Sequence, residues 1–86
     1  MALIEEVMFR RLDVRLAQWL LERAEAEGSH LRVTHQQIAH ELGSAREVVS
    51  RQLKDFERRG WLALGRGAVD IAKPEALRTF LHTESR

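Results

Sequence analysis

The sequence predicts a mostly α-helical domain that carries one small β-hairpin. Glycines and a single proline divide the 86 residues into short segments, several of which carry apolar residues at helical spacing. Two short runs, residues 61–64 and 68–71, flank Gly65-Arg66-Gly67 and predict the hairpin. The order is helix, strand, helix, turn, helix, hairpin and a last short helix opened by Pro74. This is the order of a winged helix-turn-helix, in which the hairpin is the wing.

The first helix is predicted to extend from residue 1 to Glu27, in two pieces. An apolar stripe runs through this block, and Gly28 follows it as a helix-ending glycine. Asp13 is a residue type that accepts hydrogen bonds from the first amides of a helix, so a break or bend is expected near Leu12 and Asp13. Residues 31–33, which come next, alternate in the manner of a small edge strand.

The helix-turn-helix is predicted from two capping boxes. Thr34 and Gln37 form a Thr-x-x-Gln box at the start of the second helix, which ends at a glycine. Ser44 and Glu47 form a Ser-x-x-Glu box at the start of the third helix, which runs to Gly60. Two helices joined by a turn this short, with a glycine in it, are typical of the motif.

Length and composition limit the possible functions. A chain of 86 residues forms at most one domain, and its lack of cysteine excludes disulfides and thiolate metal sites. No apolar run approaches the roughly 20 residues of a membrane span. The first residues carry acids where a secretory signal carries positive charge. We therefore expect a cytoplasmic protein with no membrane partner.

Enzyme and metal chemistry have little support in the sequence. His35 and His40 point to different faces of a helix, and no cysteine or acidic cluster joins them. Nothing resembles a nucleophile elbow, and a domain of this size leaves little room for a catalytic cleft. We expect no enzyme activity, no catalytic residue and no metal ion.

The positive charge of the chain is concentrated in its middle. Residues 44–66 hold five arginines and one lysine against three acids, whereas residues 1–27 hold more acids than arginines. A local cationic block of this kind is typical of a surface that faces phosphates. A solvated helix face explains the same excess, so charge alone leaves both interpretations open.

The third helix is predicted to separate an apolar seam from a polar arc. At 100° per residue, Val49, Leu53 and Phe56 share one side. The opposite arc spans about 140°. An exposed helix with such an arc can enter the major groove, where arginine forks onto guanine and glutamate accepts from the cytosine amino group. The arc consists of Arg46, Glu47, Ser50, Arg51 and Lys54.

Structural roles compete with base recognition at three of these positions. Glu47 is also the third residue of the Ser44 capping box, and capping alone would explain it. Arg46 and Arg51 could pair with acids one turn away. Surface pairs of that kind contribute only about a few tenths of a kcal/mol, so they explain little.

The run from Val33 to Leu53 resembles the helix-turn-helix of the Crp/Fnr family of bacterial transcription regulators. The Arg-Glu-x-x-x-Arg core that begins at Arg46, the Leu53 that follows it and the Gly-Trp-Leu before the wing all match. Residues 12–17 also resemble the first helix of that family's DNA-binding domain. The likeness covers about residues 8–81.

This resemblance implies a sequence-specific DNA-binding domain of a dimeric regulator. A recognition helix at about residues 45–59 would lie in the major groove of a two-fold-related operator. The start of the second helix and the wing tip would lie against phosphates. The predicted base contacts are Arg46, Glu47, Ser50 and Arg51, and the predicted phosphate contacts are Thr34, His35, Gln36, Ser44, Lys54 and Arg66.

Two departures from the family pattern bear on specificity. Ala45 stands where a serine or threonine commonly precedes the Arg-Glu pair, and Val48 stands where threonine is frequent. Arg46 resembles the cyclic-nucleotide-binding branch, whereas Ser50 resembles the oxygen-sensing branch. The half-site therefore stays open between TGTGA-like and TTGAT-like.

The resemblance also implies partners and a domain division. Residues 1–11 are expected to be the end of a dimerisation helix or a linker, and residues 12–86 the winged helix-turn-helix. Family members carry an effector domain ahead of this segment, so the chain is expected to be an excised C-terminal domain or a stand-alone one, without a cofactor of its own. Expected partners are double-stranded DNA, a second copy in the full-length protein and RNA polymerase.

The alternative interpretation is a winged helix used for protein–protein contact. Such a module would usually replace the cationic arc with apolar residues, so the arc separates the two hypotheses. The apolar stripe of Leu3, Ile4, Val7 and Met8 could pair with a second copy.

Overall fold

Helices and a small antiparallel sheet alternate along the chain in the predicted order. The computed structural model describes the backbone of residues 2–84 and the side chains of residues 12–84. The mostly α-helical, winged helix-turn-helix fold is confirmed. The elements are α1 (Ala2–Glu27), β1 (His30–Leu31), α2 (His35–Leu42), α3 (Arg46–Arg58), β2 (Leu62–Gly65), β3 (Ala68–Ile71) and α4 (Pro74–Glu84).

Helix α1 is continuous, so the predicted break near Leu12 and Asp13 is wrong. Leu12, Leu16 and Leu20 lie four residues apart and are all buried in one core, which favours an unbroken helix through Asp13. Neither glycine nor proline interrupts the run. The apolar stripe of residues 3–8, together with the other side chains up to residue 11, lies outside the described side chains.

The apolar seam predicted for α3 forms part of the core. Val49, Leu53 and Phe56 are at most 1% exposed, and they pack with buried residues of α1, α2 and the sheet. Among residues 12–84 no polar or charged side chain is buried. The opposite face of α3 is thereby turned to solvent.

The capping box at the start of α2 is present as predicted. The Thr34 Oγ1 accepts from the Gln37 amide at 3.1 Å, and the Gln37 Oε1 accepts from the Thr34 amide at 2.8 Å. The helix ends at Gly43, whose φ of +64° is left-handed, and the Ser44 amide donates to the Ala39 carbonyl at 2.9 Å. The three residues that join α2 to α3 are therefore tied to the end of α2.

The second predicted capping box is wrong. The N-cap of α3 is Ala45, and its side chain cannot accept a hydrogen bond. Ser44 lies one residue too early, because its amide completes the turn that ends α2. Glu47 is consequently the second residue of α3, not the third, and it does not take part in a capping box.

This difference predicts unequal stability effects for two hydroxyl deletions. Thr34→Ala is expected to lower the free energy of unfolding by about 0.5–2 kcal/mol, because it removes the acceptor of an N-terminal amide. Ser44→Ala is expected to change it by less than about 0.5 kcal/mol. Urea unfolding followed by circular dichroism measures both values, and a similar loss in the two variants would contradict the assignment of Ala45 as the N-cap.

The wing is the hairpin of β2 and β3, and β1 pairs with the outer side of β3 in the order β1-β3-β2. Gly65 pairs with Ala68, so Arg66 and Gly67 alone form the tip, and Gly67 takes a φ of +64°. Strand β1 comprises residues 30–31 in place of the predicted 31–33. The Leu64 amide donates to the Glu57 Oε2 at 2.9 Å, which ties the wing to α3.

Three aromatic rings join α3, the wing and α4. Phe56, Trp61 and Phe80 form a triangle with centroid distances of 5.4 to 5.7 Å. Gly60, at φ +82°, turns the chain out of α3, and the Trp61 amide donates to the Phe56 carbonyl at 3.1 Å. Helix α4 begins at Pro74, as predicted, and packs against α1. The orientation of α3 is thus fixed from both sides.

Candidate nucleic-acid interface

The exposed side of α3 carries the five polar residues that the sequence placed on one arc. Together they line a single shallow groove along the helix, and we call this surface the recognition face. Four of the side chains are exposed and Ser50 is half-buried. The members are Arg46, Glu47, Ser50, Arg51 and Lys54.

The arginines of the recognition face keep their charge free of partners. Within residues 12–84, no ion pair involves Arg46 or Arg51. Asp55, an acid one turn from Arg51, is held by Arg59 at 3.0 Å between Nε and Oδ2. Neighbouring acids among the described residues therefore do not form ion pairs with these two arginines.

Glu47 is available for a contact outside the domain. It is exposed in the first turn of α3 and does not cap the helix. A carboxylate in the first turn is stabilised by the helix dipole, so its place among cations is compatible with the fold. The capping explanation for Glu47 no longer competes with base recognition.

A second groove lies between the start of α2, the recognition face and the wing, and we call it the wing groove. Three predicted phosphate contacts at the start of α2 line it, and the backbone of the wing tip faces them through the two glycines that flank Arg66. Arg46 and Ser50 belong to both this groove and the recognition face. The lining residues are Thr34, His35, Gln36, Arg46, Ser50, Gly65 and Gly67.

A side-chain hydrogen bond connects the two helices inside the wing groove. The His35 Nδ1 lies 2.7 Å from the Ser50 Oγ, and both side chains are half-buried. Burial lowers the pKa of His35 below its usual 6.5, and the nearby charges of Lys54 and Arg46 lower that pKa further. Sequence analysis missed this pair, since a helical wheel of either helix cannot show contacts between helices.

Ser44 lies in a third groove, which His35 does not line. Gln36 and Arg46 line both this groove and the wing groove. It also contains Arg23 of α1 and Arg32, two cations that the sequence analysis did not single out. Arg32 lies two residues before the capping residue Thr34, and this position was the signal that could have identified it. Predicted phosphate contacts therefore lie on both sides of Arg46.

Two other classes of site find no support in the described residues. No group of three or more histidine, cysteine, aspartate or glutamate side chains among them could hold a metal ion. In the same part of the chain, no helix is both long and apolar enough to cross a membrane.

Comparison with known proteins finds relatives that match most of the chain. The family model described as Crp-like helix-turn-helix domain matches residues 14–80. The "CRP-like cAMP-activated global transcriptional regulator" of Mycobacterium tuberculosis is 37% identical over 82 residues, covering 86% of this chain and 37% of the relative. That match includes the helix-turn-helix, so the likeness is one of sequence as well as fold.

Solved structures agree. A Crp/Fnr-family protein from Eubacterium rectale is 42% identical with a TM-score of 0.81, over 95% of this chain and 38% of that one. The Catabolite Activator Protein of Thermus thermophilus is 26% identical with a TM-score of 0.83, over 94% and 38% respectively. This chain spans well under half the length of the proteins it matches.

Proposed function

This chain belongs to the Crp-like helix-turn-helix domain family, and on that premise we propose that it is the sequence-specific DNA-binding domain of a dimeric bacterial transcription regulator. The proteins of this family that it matches are transcription regulators, not enzymes. The observation that carries the proposal is the recognition face, on which two arginines without an ion pair among residues 12–84 lie on a helix anchored by three buried apolar side chains.

The recognition face is suited to the edges of bases in the major groove. Arg46 and Arg51 can each fork onto the O6 and N7 of a guanine, and Glu47 can accept from the amino group of a cytosine. Contacts of this kind distinguish one base pair from another, because each pair shows a different donor and acceptor pattern there. We assign sequence selection to these three residues together with Ser50, which lies beside them on the recognition face.

The wing groove is suited to the phosphate backbone beside the same half-site. The start of α2 offers amide hydrogens and a positive helix dipole, next to His35 and Gln36. Arg66 at the wing tip adds a cation on the other side. Such contacts fix the orientation of the domain on the duplex and carry no sequence information themselves.

Two such domains would read a two-fold-related operator. Half-sites one turn of DNA apart require two copies of the recognition face, related by the symmetry of the duplex. We propose that the regulator dimerises, acts on DNA in the cytoplasm and contacts RNA polymerase.

Selection from a random duplex pool tests the function. The chain, joined as a dimer by a coiled coil fused ahead of Met1, is expected to enrich a two-fold-related site. With the Lys54 and Arg66 of both copies on phosphates, affinity should fall roughly 100-fold between about 50 and about 200 mM salt. Filter binding at a series of salt concentrations measures the slope. No enrichment, or affinity indifferent to salt, would instead favour a protein-binding module.

A further inference from the structure

We propose that His35 sets the hydrogen-bond polarity of Ser50, and so decides which base the recognition face accepts at one position of each half-site. His35 acts here as a positioning residue, since it works through the Ser50 hydroxyl. The inference rests on the proposed DNA-binding function and adds to it a specificity determinant outside α3. It arises from the hydrogen bond between the His35 Nδ1 and the Ser50 Oγ in the wing groove.

The geometry places Ser50 between two partners. On one side its oxygen lies 2.7 Å from the His35 ring, and on the other it borders the groove shared with Glu47 and Arg51. A hydroxyl has one proton to donate and two lone pairs to accept with. The hydrogen bond that Ser50 makes with His35 therefore determines which of its donor and acceptor sites remain for a base.

A neutral His35 leaves Ser50 as an acceptor. If the outer ring nitrogen, Nε2, carries the proton and donates to a DNA phosphate, Nδ1 has a lone pair and accepts the Ser50 hydroxyl proton. Ser50 then offers only lone pairs toward the major groove. Amino groups are the base donors there, and cytosine presents an amino group without an acceptor.

A protonated His35 reverses the polarity. Both ring nitrogens are then donors, so Nδ1 donates to the Ser50 oxygen and the Ser50 hydroxyl proton is free. Ser50 can now donate to a carbonyl such as the O4 of thymine or uracil. One proton on His35 thus gives Ser50 a donor for a base acceptor in addition to its remaining lone pair, and the relative affinity for such a base rises.

The charges around His35 determine the pH at which Ser50 changes its role. Arg46 and Lys54 face it from α3, Arg66 lies at the wing tip, and within the described residues no acidic side chain lines the groove. In the free domain, the pKa of His35 is lowered below 6.5, mainly because the ring is partly buried and also because Lys54 and Arg46 are close. The ring is therefore neutral at pH 8. A bound phosphate opposes both effects and raises that pKa, so binding takes up a proton at acidic pH.

A single-position base comparison tests the inference. The position read by Ser50 is located first, as the base pair whose preference is lost in Ser50→Ala. Duplexes with a C·G or a U·A pair there differ at the 4-position of the pyrimidine and in the paired purine, but not by a methyl group, and neither base difference titrates between pH 5.5 and pH 8. The affinity ratio of the cytosine to the uracil duplex is expected to fall by about 2–10-fold from pH 8 to pH 5.5 in the unmodified chain.

Three variants separate this effect from the charge of His35 itself. His35→Asn cannot titrate, and its ratio should not depend on pH. Ser50→Ala should keep the pH dependence of overall affinity, which comes from His35 and phosphate, but lose that of the ratio. His82→Asn, at an exposed position of α4, is the matched control and should behave as the unmodified chain.

The outcomes distinguish the inference from the function on which it rests. Specific binding with a ratio that is the same at both pH values would overturn the role of His35 and leave the proposed function standing. A pH-dependent ratio that persists in His35→Asn would overturn it as well, since another group would then titrate. Failure of the unmodified chain to prefer any duplex would overturn both.

Discussion

Phe56→Ala is expected to lower the free energy of unfolding by about 3–5 kcal/mol, because it deletes a ring from the centre of the fold. Phe56 is 1% exposed and contacts both Trp61 and Phe80 in the aromatic triangle. Its removal leaves a cavity between α3, the wing and α4 that neighbouring side chains can only partly fill. Loss of the ring contacts adds to the loss of buried apolar area.

Urea unfolding at pH 7 measures this loss, with Phe56→Leu as the control. Leucine keeps most of the apolar volume, so the control should lose clearly less stability than the alanine variant. Domains of this size have a small free energy of unfolding. The urea concentration at which half of the Phe56→Ala variant is unfolded should therefore be well below that of the unmodified chain. A loss under about 1 kcal/mol would mean that the triangle does not support the core.

The helix-turn-helix was predictable because local chemistry determines most of it. Thr34 and Gln37 cap α2 through contacts three residues apart, and Gly43 supplies the left-handed residue that ends it. The spacing of Val49 and Leu53 identifies the buried side of α3 without knowledge of its neighbours. Features that depend on contacts within a few residues could thus be read directly from the sequence.

The start of α3 could not be predicted in this way. Ser44 and Glu47 have the spacing of a capping box, but the same Ser44 amide is required to close the end of α2. Two helices compete for one residue, and the sequence does not reveal which one uses it. Ala45 is therefore the N-cap of α3, and Ser44 belongs to the turn that ends α2.

Contacts between elements account for the remaining differences. Asp13 has the residue type of an N-cap, yet the buried leucines on both sides of it keep α1 unbroken. The bond between His35 and Ser50 joins side chains from two helices, and neither residue signals the other in the sequence. The sequence therefore predicted which residues share the exposed side of α3, whereas their arrangement relative to α2 and the wing required the fold.

The recognition face depends on the core beneath it. Glu57 ties the wing to α3 through the Leu64 amide, and the aromatic triangle holds the end of α3 against α4. These contacts connect the wing groove to the recognition face through α3. The base and phosphate contacts that we propose would therefore be held in one relative arrangement, which favours specific binding because less freedom is lost on association.

Arg51→Ala is expected to weaken specific DNA binding by about 1–3 kcal/mol and to relax the base preference at one pair of each half-site. Arg51 is exposed on the recognition face, and no ion pair within residues 12–84 involves it. Deletion of its guanidinium removes a fork of two donors that a guanine requires. Competition binding of the dimerised chain with cognate and scrambled duplexes measures the loss and its dependence on sequence.

Two further arginines show whether this loss concerns a base or only charge. Arg66→Ala, at the wing tip, should weaken cognate and scrambled duplexes alike, because a phosphate contact carries no sequence information. Arg78→Ala, at an exposed position of α4, removes the same charge outside the interface and should have little effect on either duplex. If Arg51→Ala reduced both duplexes equally, as Arg66→Ala is expected to do, Arg51 would contact phosphate. Base selection would then fall to Arg46, Glu47 and Ser50, the other predicted base contacts of the recognition face.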